Sequence, residues 1–167
     1  SGPVVHSRHS EDWHQRVNLL CTMKIPDNKA WQAALRVISK LNQAGHRAIL
    51  AGGCVRDMLL GRSPQDYDVA TNATPQQVIE AFPRGRQVGA KFGVILVRQL
   101  KHDIEVATFR REGEYSDGRH PDKVEFGTEQ EDARRRDFTI NGLFFDTAAE
   151  KVIDYVGGQA DLGANVL

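Results

Sequence analysis

A chain of 167 residues, 40% hydrophobic and 26% charged, has the balance of a folded globular unit, long enough for one real core and too short for two full domains. Lys plus Arg equals Asp plus Glu at 22 each, which excludes a global basic field as the way of holding a nucleic acid, so any such contact has to come from local patches. Cys21 and Cys54 lie far apart without C-x-x-C spacing, which argues against a zinc ribbon or redox motif, and no apolar run approaches the roughly 18 residues of a membrane span, so a cytoplasmic protein is expected.

Residues 1–26 are polar and weakly periodic, and are expected to form a flexible N-terminal segment. The folded unit is expected over 27–162. Residues 28–44 place Ala30, Trp31, Ala34, Leu35, Ile38 and Leu41 at helical spacing, with Asp27 or Asn28 as N-cap and Gly45 as the stop. "HRAILAGG" reads as a short strand running into a Gly-Gly turn, and "CVRDMLLG" as a brief helix closed by Gly61. After "SPQ" comes a strand carrying Asp66 and Asp68. Thr74-Pro75 supplies an N-cap and a first-turn proline for a helix over 75–82, ending before Pro83. "FGVILVRQL" and "HDIEVATF" read as a hairpin turning around Lys101.

Residues 110–122 lack periodicity and are rich in turn formers and charge, which reads as a loop. Thr128 with Glu131 makes a capping box that opens a helix through "QEDARRR", expected to continue into "DFTINGLFF" before a final strand near "KVIDYV". Strands and helices intermix without a regular βαβ repeat, so the fold class is α+β.

Chemistry concentrates in three places. In "DYDVAT" strand alternation puts Asp66 and Asp68 on one face and Tyr67 and Val69 on the other. Two carboxylates about 4 Å apart repel by roughly 4 kcal/mol at an effective dielectric near 20, and a shared proton or a divalent cation is the usual remedy. In "HDIEVATF", Asp103, Glu105 and Ala107 share a face, so Glu105 would join the pair if the two strands were neighbours. Oxygen ligands with open positions suit Mg²⁺ bridged by substrate phosphates. Gly52-Gly53, at a strand-to-helix junction with Arg56 one turn on, leaves backbone N–H groups open to a phosphate. "DARRRDFTIN" sets Asp137 and Asn141 four residues apart on an expected helical face, where they would hold a ribose or base while Arg135 or Arg136 meets phosphate. The plain alternative is a solvated helix face with salt bridges from Glu131 and Asp132.

Together these segments resemble the N-terminal catalytic head of the class II tRNA nucleotidyltransferase and bacterial poly(A) polymerase family, within the polymerase β-like nucleotidyltransferase superfamily. "GGCVRD" with "DYDVAT" resembles the family's metal-binding motif, "EVATFR" its third strand, "RRDFTIN" its ribose motif, "YSDGRHPDKVEF" its flexible loop and "DYVGGQADL" the junction leaving the head. The resemblance implies a mostly antiparallel five-stranded sheet flanked by helices. It implies Mg²⁺ on Asp66 and Asp68, with Glu105 as a third catalytic carboxylate. Nucleotide contacts would come from Gly52, Gly53, Arg56, Arg135, Arg136, Asp137 and Asn141, and the loop from Arg111, Tyr115, Asp117, Arg119 and Pro121. The implied partners are a tRNA or other RNA 3′ end, CTP and ATP, with no membrane and a monomeric fragment.

The family selects CTP or ATP with an "EDxxR" motif on a neck helix beyond the head. "EDARR" at 131–135 matches as text but overlaps the ribose motif, and is read as a coincidence; residues 163–167 are expected to begin a neck that the chain does not reach. Because the loop is present, addition of CCA or of the terminal A to tRNA is the expected activity, with poly(A) synthesis second. Two rivals stand beside it. One is a non-catalytic nucleotide-binding module, disfavoured by three crowded carboxylates. The other is a structural RNA-binding domain, whose interleaved aromatic and basic residues are not evident.

Overall fold

A computed structural model describes residues 23–88, 93–113 and 124–165. In chain order they form α1 (Lys29–Gln43), β1 (Ala48–Ala51), α2 (Gly53–Leu59), β2 (Asp68–Thr71), α3 (Pro75–Ala81), β3 (Arg86–Gln87), β4 (Val94–Gln99), β5 (His102–Thr108), β6 (Arg110–Arg111), β7 (Glu125–Phe126), α4 (Glu129–Arg134), a 3₁₀ turn (Thr139–Asn141), β8 (Leu143–Asp146), β9 (Lys151–Asp154) and α5 (Gly158–Gly163). The α+β class holds. The sheet has seven strands among the described residues rather than five, in the order β3-β4-β5-β2-β1-β8-β9, and β6 and β7 pair separately. Every neighbour pair in the large sheet is antiparallel except β2 with β5.

Local chemistry explains most of the helix boundaries. Asn28 caps α1, its side-chain oxygen accepting from Trp31 N–H at 2.8 Å. Thr74 and Gln77 close a reciprocal capping box on α3, and Thr128 and Glu131 another on α4. Asp154 accepts from the N–H groups of Val156, Gly157, Gly158 and Gln159, which turns the chain from β9 into α5. The β4–β5 hairpin turns through Leu100 and Lys101, both at positive φ, the geometry that matches strand twist in a two-residue loop.

Strand alternation divides the core by face. Leu50, Val69, Ile104, Val106, Leu143 and Phe145 point to the side covered by α1 and α2, where they pack with Trp31, Ala34, Val37, Leu41, Val55 and Met58. Each such fully buried Leu, Val or Ile contributes about 1.5–3 kcal/mol. Ile49, Ala51, Ala70 and Phe144 point the other way, beneath Ala133 of α4 and Phe109. That second cluster is small. It leaves part of the face open where β2 meets β5.

Two expectations fail here. The helix beginning at Glu129 stops at Arg134 instead of running through "DFTINGLFF"; Phe138 is extended, 139–141 makes a single 3₁₀ turn, and Leu143–Asp146 is a strand between β1 and β9. An apolar run such as "LFF" fits a buried strand or a buried helix equally well by pattern, and the sheet edge offered by β1 decides it. Asp66 lies in a bend before β2 and not in the strand itself. No helix among the described residues is long and apolar enough to cross a membrane.

Candidate active site

The site forms on the sparsely covered face of the sheet because alternation puts acidic side chains there. Tyr67 and Val69 are buried toward α1, which leaves Asp68 on the opposite side, while Asp66 is exposed in the bend before β2, near enough for its charge to act on Asp68. Within the parallel pair, Asp68 is the register partner of Glu105, and on its other flank it faces Ala51 at the end of β1. Although the residue is exposed, partial desolvation of its carboxyl against the sheet pushes Asp68 up from 3.8 to about 6; the negative charges of Glu105 and Asp66 add to this and the positive charge of Arg136 opposes it. None of the three carboxylates has a hydrogen-bond or ion-pair partner among the described residues.

That last observation bears on a metal. No group of three or more His, Cys, Asp and Glu side chains among the described residues is arranged to hold an ion by itself, so Glu105 does not close a three-ligand cage with the two aspartates. Two unpaired hard-oxygen ligands on an open face, one of them made a weaker acid than usual by desolvation and by neighbouring negative charge, do fit Mg²⁺, which keeps several coordination positions for water and substrate.

Beside the carboxylates lies the Gly-Gly turn. Gly52 adopts φ 75° and ψ −136°, a conformation that L residues avoid, and its N–H donates to the Leu143 carbonyl at 3.1 Å. A Cβ on Gly52 would stand 3.1 Å from Arg136 Nη1, and one on Gly53 would stand 3.4 Å from Arg56 Nη2. Each glycine therefore lies under a guanidinium. Arg56 donates to Asp57 and, through Nη1, to the Asn141 side-chain oxygen at 2.8 Å. Arg136 Nη1 reaches the Asn141 carbonyl at 3.3 Å, and its guanidinium sits 5.7 Å from the centre of the Phe144 ring.

The arginines are gathered by a residue the sequence reading did not single out. Asp132 is only 2% exposed. Its Oδ1 accepts from Arg135 Nε and from the Arg110 N–H, both at 3.0 Å, and its Oδ2 accepts from Arg136 Nη2 at 2.9 Å. The i,i+3 and i,i+4 spacing from Asp132 to Arg135 and Arg136 was the available signal, and reading it as a solvated helix face hid it. Arg110 was missed as well. Its Nε is buried with no partner among the described residues, and burial, then Arg135 and Arg136, push its pKa down while Asp132 opposes them.

Other expected residues fall variously. Gly52, Gly53, Arg56, Arg136 and Asn141 converge, whereas Asp137 is exposed and does not share a helical face with Asn141, because the helix has ended before it. Arg135 joins the group through Asp132. Arg111 pairs with Glu125 at 2.8 Å across β6 and β7; Tyr115, Asp117, Arg119 and Pro121 lie outside the described residues. Cys54, below the turn, is buried and its thiol is pushed up to about 11 by burial, which makes it a packing residue and not a nucleophile.

Residues 48–167 match the family described as the poly A polymerase head domain. Poly(A) polymerase I of Salmonella typhi is 47% identical over 145 residues, covering 80% of this chain and 31% of that protein. The CCA-adding enzyme of Bacillus subtilis (strain 168) is 43% identical over 140 residues, covering 83% of this chain and 35% of that protein. Among solved structures, the Bacillus stearothermophilus CCA-adding enzyme in complex with CTP superposes with a TM-score of 0.70 at 38% identity, over 81% of this chain and 32% of that one. A tRNA nucleotidyltransferase complexed with a primer tRNA and an incoming ATP analog gives 0.57 at 30% identity, over 75% of this chain and 36% of that one. The chain thus spans about a third of the length of these relatives.

Proposed function

The chain belongs to the poly A polymerase head-domain family, and from that premise we propose that it is the catalytic head of a template-independent RNA nucleotidyltransferase that adds CCA or the terminal A to tRNA 3′ ends. One observation carries the reading: Asp68, with Glu105 beside it, borders a Gly-Gly turn overlaid by Arg56 and Arg136. A polyphosphate set along that turn meets backbone N–H groups and guanidinium donors while its α-phosphate end approaches the carboxylates.

In the reaction the RNA 3′-hydroxyl oxygen attacks the α-phosphorus of CTP or ATP. The bond between the α-phosphorus and the bridging oxygen breaks, and pyrophosphate leaves. Asp66 and Asp68 would hold Mg²⁺, which when bound supplies charge neutralisation and lowers the pKa of a coordinated hydroxyl. Arg56 and Arg136 hold the charge of the leaving pyrophosphate, and Glu105, the register partner of Asp68, is the carboxylate left to accept the hydroxyl proton. Asn141, its side-chain oxygen held by Arg56, is left with its amide donors for the ribose. Positioning and charge are the main catalytic terms.

The test supplies the protein with tRNA lacking its 3′ end and with CTP and ATP separately. Incorporation of C and then A supports the reading. A second reading, poly(A) synthesis, is favoured by the similarity to poly(A) polymerase I, and repeated A addition to an RNA that is not tRNA would select it. Failure with every RNA would leave a nucleotide-binding module. We also propose that the chain alone binds ATP, CTP, GTP and UTP within a few-fold of one another, because phosphate, ribose and metal contacts do not discriminate among bases. Calorimetric titration with each nucleotide tests this.

A further inference from the structure

We propose that Asp132 is the positioning residue of the nucleotide site, setting the orientation of Arg135 and Arg136 together and tying both to the start of β6. For its ligand the inference rests on the functional reading above; for its geometry it does not. An exposed helical ion pair contributes little, because both side chains sample many orientations in water. Asp132 is different because it is 2% exposed, and a carboxylate taken so far out of water persists only if its oxygens are filled with donors. They are filled: Arg135 Nε and Arg110 N–H on Oδ1, and Arg136 Nη2 and Nε on Oδ2 at 2.9 and 3.3 Å.

The arrangement divides the Arg136 guanidinium between two tasks. The edge formed by Nε and Nη2 is held by Asp132, which turns Nη1 toward the Asn141 carbonyl and the space above Gly52. Phe144 supports the same group 5.7 Å away. A guanidinium fixed in this way has already lost the rotamer freedom that binding would otherwise cost. Arg110, Arg135 and Arg136 bring more positive charge to Asp132 than one carboxylate neutralises, which favours an anion beside them. Asp132→Asn would keep the size but replaces one oxygen with an NH₂ group, whose two donors would face a guanidinium or the Arg110 N–H.

Three measurements test it. In the unaltered chain the Nε–H protons of Arg135 and Arg136, observed by NMR, should exchange with water much more slowly than those of exposed arginines. Free exchange of both overturns the proposal, whether or not any nucleotide binds. Asp132→Asn should weaken binding of Mg²⁺–ATP about tenfold, the loss of one charge-assisted contact. In a background carrying both Arg135→Lys and Arg136→Lys the same change should cost less than about twofold further, because both groups it acts through have gone. An undiminished tenfold loss in that background assigns Asp132 to general folding and overturns the proposal. If the unaltered chain binds no Mg²⁺–ATP, the functional reading falls, and the exchange rates alone decide the inference.

Discussion

Arg56 donates from Nη1 to the side-chain oxygen of Asn141 at 2.8 Å, joining the helix after the Gly-Gly turn to the 3₁₀ turn 85 residues later. Both residues are partly buried, so the bond is shielded from competing water and holds the guanidinium over Gly53.

Removing that acceptor separates binding from stability. Asn141→Ala leaves Arg56 only Asp57, and we expect Mg²⁺–ATP affinity to fall about three- to tenfold with a stability loss of about 1 kcal/mol. Asn141→Asp keeps a partner for Arg56 but adds a negative charge, so it should weaken binding with little loss of stability. Calorimetric titration alongside thermal unfolding checks both.

Asp68 gives a pH signature. Its carboxyl is raised from 3.8 to about 6, so between those values the folded protein holds a proton that the unfolded chain has released. Its contribution to stability is present in full below 3.8 and is lost as pH rises to about 6. Asp68→Asn should flatten that part of the stability–pH curve. Carboxyl ¹³C titration should give a midpoint near 6 without Mg²⁺ and a lower one with it. A midpoint near 4, unmoved by Mg²⁺, would contradict both the crowding and the metal reading.

The same substitution should uncouple function from folding. Asp68→Asn relieves repulsion from Glu105 and Asp66, so the variant should be at least as stable at pH 7 as the parent. In the assay for nucleotide addition it should nevertheless lose at least about a hundredfold, since on the proposed function a metal-holding carboxylate is gone. Near-normal turnover in that variant would exclude Asp68 from the chemistry.

Gly52→Ala tests the turn. At φ 75° the new Cβ is strained and lies 3.1 Å from Arg136 Nη1, so the guanidinium must yield. We expect a loss of about 1–2 kcal/mol in stability, together with weakened Mg²⁺–ATP binding. Denaturant unfolding read beside the titration separates the two effects.

The sequence by itself determined the elements whose signals are local: the caps at Asn28, Thr74 and Thr128, the Gly52 turn, the hairpin at Lys101, and the alternation that buries Val69 and exposes Asp68. Caps, turns and period-two patterns involve residues a few positions apart, so their physics is written in consecutive letters. Only the tertiary structure decided which strands are neighbours. That choice made Glu105 the partner of Asp68 and turned "LFF" into a strand instead of the end of a helix. It also decided that Asp132 is buried. In sequence, an aspartate three and four residues before two arginines is indistinguishable from a solvated surface ion pair. The difference lies in the burial of Asp132 and in the Arg110 N–H arriving from another strand, which depends on packing between segments distant in sequence.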